Sequence, residues 1–343
     1  MAREPFEIGG VRIAPGDHAY VDLPISKLSD HTPMRLAVQV LHGKQDGPTV
    51  FISAAIHGDE IIGVEIIRRL SVLKVLQKLR GTLILVPVVN SFGFISWSRY
   101  LPDRRDLNRS FPGSPRGSLA GQLAHIMMSE IVSRSDVGID LHSGAIHRPN
   151  LPQIRAALDD PETLDLARAF AAPVMLNSKL RDGSLRMAAL ENDCRMLLYE
   201  AGEALRFDDS AIRIGVRGIL NVLRQLAMLP HKPRDGAEPI RATSSHWLRS
   251  PVGGIARTRY RLGSRVEAGD TIAVIADPLG RSEQPLKARD TGVIIGLSNL
   301  PVVNRGDALF HVAIVEGARE AQRHIEDSEQ DALADPLYDD DLD

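Results

Sequence analysis

The chain has 343 residues, 43% of them hydrophobic and 25% charged, with a formal net charge of −3. That length suggests one large domain plus a smaller one, and the balance is ordinary for a globular protein. No basic excess favours nucleic acid or an anionic membrane, and no apolar run approaches the ~18 residues of a membrane helix. The single cysteine, Cys194, cannot form an internal disulfide and suits a reducing compartment. The opening residues MAREPFEIGG lack the apolar stretch of a secretory signal, so the expected location is cytoplasmic.

Residues 1–40 read as short extended pieces, broken by Gly, Pro and Asp, that pack on the domain after them. From residue 41 to 232 the texture is that of an α/β domain. Val50–Ala55 is a continuous apolar run, and Ile61–Lys78 then carries Ile62, Ile66, Leu70, Leu73 and Leu76 at helical spacing. Leu83–Val89 reads as a second buried strand. Leu119–Ile131 reads as a helix capped by Ser118. Val137–Leu141 is a third strand, and Asp160-Pro161-Glu162 starts another helix with a cap and a first-turn proline. Arg195–Tyr199 is a further strand, and Ser210–Leu229 a long helix ended by Pro230. Strands alternating with helices predict a mainly parallel sheet, mixed at its margins and covered on both faces. Residues 233–316 instead alternate short strands with turns, which predicts a small all-β domain of barrel-sandwich type. Lys287 is its one candidate for modification and is expected to be plain surface charge. Residues 317–343 end in DPLYDDDLD and are expected to form a disordered acidic tail.

Ligands of open parallel sheets bind beyond the carboxyl ends of the strands. His57 and Glu60 follow the first buried strand, in TVFISAAIHGDE. His142 follows the third, in GIDLHSG, and Glu200 the fourth, in MLLYEAGE. Two imidazoles and a carboxylate form a catalytic zinc set that leaves a position open for water. His57, Glu60 and His142 are therefore the expected ligands of one Zn2+ ion, with Glu200 placed to take the proton of a water. Asp140 is a candidate for orienting an imidazole, Glu203 competes with Glu200 as base, and Asp59 reads as an ordinary acid.

Between Asn90 and Ser118 lies a long segment without periodicity, dense in arginine from Arg99 to Arg109. A guanidinium fork binds a carboxylate bidentately, and an adjacent Asn adds amide donors. This suggests hydrolysis of an amide next to a free carboxylate.

HGDE, RDLNRSFPG, DLHSG and YEAGE occur in this order, and together they resemble the succinylglutamate desuccinylase/aspartoacylase family, a branch of the zinc carboxypeptidase fold. The resemblance spans roughly residues 45–230. It implies His57, Glu60 and His142 as zinc ligands and Glu200 as general base and then acid. It implies Arg99 as the group that polarises the scissile carbonyl, and Asn108 and Arg109 as the pair that holds a substrate carboxylate. Arg148 and Arg155 could line the side-chain or acyl pocket. The implied activity is hydrolysis of a small N-acyl amino acid or related N-acyl amine to a carboxylate and a free amine. The alternatives are a zinc carboxypeptidase acting on peptides, or a zinc-binding protein without catalysis. The expected partner is the small-molecule N-acyl substrate, with no nucleic acid and no membrane; a homo-oligomer is compatible with the sequence.

Overall fold

The computed structural model describes residues 3–232 and 238–334. Most of the proposed domain boundary around Pro233–Gly236 and the stretch DPLYDDDLD therefore lie outside the described residues. Four parallel strands form the centre of a mixed sheet, in the order Arg195–Glu203, Val137–Gly144, Thr49–Ala54 and Thr82–Val86. Beyond Thr82–Val86 the antiparallel pair Pro33–His42 and His18–Lys27 completes that side. Beyond Arg195–Glu203 runs the antiparallel strand Asn150–Ala156.

The central strands read as unbroken apolar runs because both faces of the sheet are covered. One face carries the helices Ile62–Ser71, Pro161–Phe170 and Asp209–Gln225. Ile62, Ile66 and Leu70 are fully buried, and each contributes about 1.5–3 kcal/mol relative to exposure. The expected single helix from Ile61 to Lys78 breaks after Ser71, because Leu73 turns to an extended backbone before the 3-10 helix Lys74–Lys78. That turn leaves Val72 exposed and brings Leu73, Leu76 and Leu79 into the core. The opposite face is covered by Leu119–Ile126 and Leu185–Leu190, among others. Ser118 caps the first of these, which widens into a π turn over Met127–Ile131. Asp160 caps Pro161–Phe170, with proline at the helix start.

The C-terminal region is antiparallel β, as its composition suggested. Gly254–Arg257, Thr271–Ala276, Glu283–Lys287 and Val302–Val303 form a four-stranded sheet of their own. Ser244–Arg249, Ala308–Ile314 and Gly292–Leu297 instead extend the main sheet, meeting Asn150–Ala156 where Gly296 pairs with Asn150. The expected disordered tail is corrected up to Ala334: Ala318–Ala334 is a helix. Its buried residues Ala318, Ala321, Ile325 and Ala332 make an apolar stripe at helical spacing that the surrounding acids mask in the sequence. Among the described residues no helix is long and apolar enough to cross a membrane.

The first parallel strand stops abruptly. Ala55 adopts a left-handed backbone (φ 52°), and its carbonyl accepts from Asn90 N at 2.9 Å. Gly58 then passes against the 91–96 helix, where a Cβ would lie 2.0 Å from the Gly93 carbonyl carbon. Gly58→Ala is expected to destabilise the fold by about 1–3 kcal/mol, as overpacking does, read as a lowered urea midpoint with an unchanged slope.

Candidate active site

This turn delivers His57 and Glu60 to the carboxyl ends of the parallel strands, where His142 also emerges. All three are at least 96% buried in the sense that none exceeds 4% exposure. Glu60 bridges the two imidazoles: Oε1 lies 2.8 Å from His57 Nδ1, and Oε2 lies 2.7 Å from His142 Nδ1. The three side chains can present ligand atoms all within 4.8 Å of one another.

The far side of each ring is also fixed. His57 Nε2 lies 3.1 Å from Asp106 Oδ1, and His142 Nε2 lies 2.7 Å from Asp140 Oδ2. Each imidazole therefore has a carboxylate at both nitrogens: Asp106 and Asp140 accept from the Nε2 protons, and a cation bound beside Glu60 would take the place of the Nδ1 protons. Ser53 Oγ donates to Asp140 Oδ1 at 2.8 Å and holds that carboxylate in turn. Asp140 thus orients His142, as the alternation along its strand allowed. Asp106 was missed as a partner of His57.

The electrostatics fit a cation at this point. Burial alone would raise the Glu60 pKa, but the two imidazoles outweigh it and hold the carboxyl below its usual range. Burial would lower both histidines, yet Glu60 and Asp106 raise His57, and Asp140 and Glu60 raise His142 well above the ordinary value. The carboxylates that draw positive charge to the rings would also attract a divalent ion, which competes with the proton for the same nitrogens. Asp59 departs from its ordinary reading. It is buried, its Oδ1 has no hydrogen-bond partner, and burial followed by the nearby Glu60 charge raises its pKa.

The cluster opens into a pocket of about 280 Å³ that also contains Arg99, Asn108, Arg109, Arg148 and Glu200. The expected metal ligands, Glu200, Arg99 and the expected substrate-binding residues therefore reach one cavity, whereas Asp59 and Glu203 do not line it. Arg99 spans two carboxylates, with Nη1 3.0 Å from Glu60 Oε1 and Nη2 3.0 Å from Asp106 Oδ2. Asn108 is pinned by its Oδ1, which accepts from Leu185 N at 2.9 Å. Arg148 lies over the Trp247 ring, 6.0 Å from its centroid, and Trp247 stacks on His311. Arg155 lies with Nε 3.3 Å from Glu200 Oε2, and Asn150 Nδ2 donates to Glu200 Oε1 at 2.9 Å.

Glu203 is committed elsewhere. It accepts from His147 N and Asn299 Nδ2 at 2.9 and 3.0 Å, away from the histidine cluster. Arg181, Asn150 and Trp247 are pocket residues that the sequence does not single out, while Arg186, in the stretch Gly183–Arg186 that could form a lip, does line it. Arg186 donates to Lys179 O, but its Nη1 is buried with no partner, and burial, then Arg155 and Arg181, push its pKa down to about 10. A larger cleft of about 970 Å³ lies at the amino ends of the parallel strands. Among the described residues it contributes nothing to a potential metal cluster.

A His–Glu–His cluster that could hold a metal ion thus stands at the carboxyl ends of the parallel strands, where sheets of this kind bind their ligands. The catalytic domain of succinylglutamate desuccinylase/aspartoacylase matches residues 46–226, over half of the chain, and the chain belongs to that family. It is 28% identical over 324 residues to the N-alpha-acetyl-L-2,4-diaminobutyric acid deacetylase of Halomonas elongata, covering 90% of this chain and 93% of that protein. Its fold is similar to a succinylglutamate desuccinylase/aspartoacylase from Rhodobacter sphaeroides (TM-score 0.78, 25% identity, 88% and 95% of the two chains). The product-bound ectoine utilization protein EutE (DoeB) from Ruegeria pomeroyi is similar as well (TM-score 0.77, 25% identity, 87% and 95%). The chain is thus an amide hydrolase of the deacylase type.

Proposed function

We propose that this protein is a zinc-dependent deacylase that cleaves a small N-acyl amino acid bearing more than one negative charge. The observation that carries the reading is a single pocket in which Glu200 and a cluster of arginines accompany the His57–Glu60–His142 ligand set. Two nitrogens and one carboxylate, with both imidazoles oriented by acids, fit zinc with a position to spare. Zinc bound there supplies Lewis acidity, activating a water near neutral pH and drawing charge from the amide carbonyl.

The protein's own groups do the rest. Three carboxylates line the pocket, and Glu200 is the one not hydrogen-bonded to an imidazole. It therefore takes the proton of the attacking water and passes it to the leaving nitrogen. Arg99, beside Glu60, donates to the carbonyl oxygen as charge develops on it. Asn108 and Arg109 hold the substrate carboxylate, and Arg148 borders the remaining space. Products are a carboxylic acid and a free amino acid.

The charge of the pocket narrows the substrate. Arg99, Arg109, Arg148, Arg155, Arg181 and Arg186 line it against Glu60, Asp140 and Glu200. Glu60 and Asp140 serve the imidazoles and Glu200 is held by Asn150 and Arg155, so no carboxylate there is spare for a substrate ammonium. The unpartnered Nη1 of Arg186 instead suits a second anionic group. The test is amine release by zinc-loaded protein from N-acetyl-L-aspartate, N-succinyl-L-glutamate, N-acetyl-L-leucine, N-acetyl-L-2,4-diaminobutyrate and dipeptides. The dianionic compounds are expected to be cleaved best. Preference for the diaminobutyrate would overturn the charge assignment, and cleavage of dipeptides alone would establish a carboxypeptidase. With the best substrate, Arg109→Ala should raise KM about 10- to 100-fold with a smaller change in kcat, the scale of a lost charged hydrogen bond.

A further inference from the structure

We infer that Asn150 is the positioning residue of Glu200, and that the C-terminal β region holds it in place; this rests on Glu200 being the base. Asn150 is 6% exposed, and its side chain runs between two glycines. A Cβ on Gly144 would lie 3.2 Å from its Nδ2, and a Cβ on Gly296 would lie 2.7 Å from its Oδ1. Gly144 ends a central parallel strand, whereas Gly296 belongs to the C-terminal strand Gly292–Leu297. The slot therefore exists only where the two parts of the sheet meet, at the Gly296–Asn150 pair.

The junction is fastened on both sides of that pair. Leu297 N donates to Pro149 O at 3.3 Å, Asn299 N donates to His147 O at 3.0 Å, and Gln153 Nε2 donates to Ile295 O at 3.2 Å. From this slot the Asn150 amide donates to Glu200 Oε1 at 2.9 Å, while Arg155 of the same strand pairs with Oε2 at 3.3 Å. One strand thus grips both oxygens of the carboxylate. Arg155 supplies charge on a long, adjustable side chain. Asn150 is short and wedged, so it sets where the carboxylate stands.

Reaction rates fall steeply when a catalytic group is displaced by about 1 Å, by as much as ~100-fold. Asn150→Ala is therefore expected to lower kcat about 10- to 100-fold, with KM within about twofold of wild type and zinc content and melting temperature retained. Gly296→Ala, whose methyl would push on the amide, is expected to show the same split. The decisive arms are double-mutant cycles on the best substrate of the panel above. Added to Glu200→Gln, Asn150→Ala should cost less than about twofold further, and Gly296→Ala added to Asn150→Ala likewise. Full kcat in Asn150→Ala, losses that multiply in either cycle, or a fall explained by lost zinc would overturn the positioning role. Wild-type activity in Glu200→Gln alone would overturn the assignment of the base itself, and the proposal with it.

Discussion

Glu200→Gln is expected to lower kcat about 100- to 10,000-fold, the range that general acid–base groups contribute. The substitution keeps the shape and retains an oxygen to accept the Asn150 amide, so the pocket should stay assembled. Substrate binding depends on other groups in the proposed arrangement, and KM should move little. Zinc content should also be unchanged, because Glu200 stands outside the ligand cluster. Full activity in this variant would remove Glu200 from the mechanism. The buried Glu203 would not replace it, because it is not among the residues lining the pocket and is held outside it by His147 N and Asn299 Nδ2.

Loss of the metal is expected to have the second large effect. Dialysis against a chelator should reduce activity at least ~1,000-fold, consistent with a Lewis acid worth several kcal/mol, and added zinc should restore it. His142→Ala should match the chelated protein and fail to recover with zinc. The same experiment reads stability. Zinc at a hundredfold its dissociation constant should add about 2.7 kcal/mol to the native state of wild type, and little to the His142 variant. A native protein that is fully active without metal would exclude the zinc reading.

The site was legible in the sequence to the extent that it follows strands. His57, Glu60, His142 and Glu200 each stand where an apolar run ends, and the carboxyl ends of neighbouring parallel strands share one rim. Asp106 was hidden because it reaches His57 across a 49-residue separation from within an arginine-rich loop. Its local signature, accepting from Asn108 N as a turn cap, says nothing about a distant imidazole. Arg155 was read as a lining residue and is the partner of Glu200; no local pattern distinguishes the two. Asn150, Trp247 and Gly296 became neighbours only through the pairing of remote strands, and periodicity identifies strands without saying which edges meet. The helix Ala318–Ala334 was missed for a different reason: its apolar stripe consists mostly of alanines, which are weak in hydropathy yet sufficient to pack.

The continuity of the sheet also bears on aggregation. The strand Asn150–Ala156 is paired on one side along Arg195–Glu203, while its other side is shared between Val174–Asn177 and the C-terminal Gly292–Leu297. Val174–Asn177 is in turn closed by Ile240–Ala242. A catalytic half cut free of these later strands would present open backbone donors and acceptors beside apolar side chains such as Leu151 and Val174, a template for pairing with other chains. The C-terminal strands therefore serve as an edge guard for the hydrolase sheet, and exchanging them between relatives would put solubility at stake along with rate.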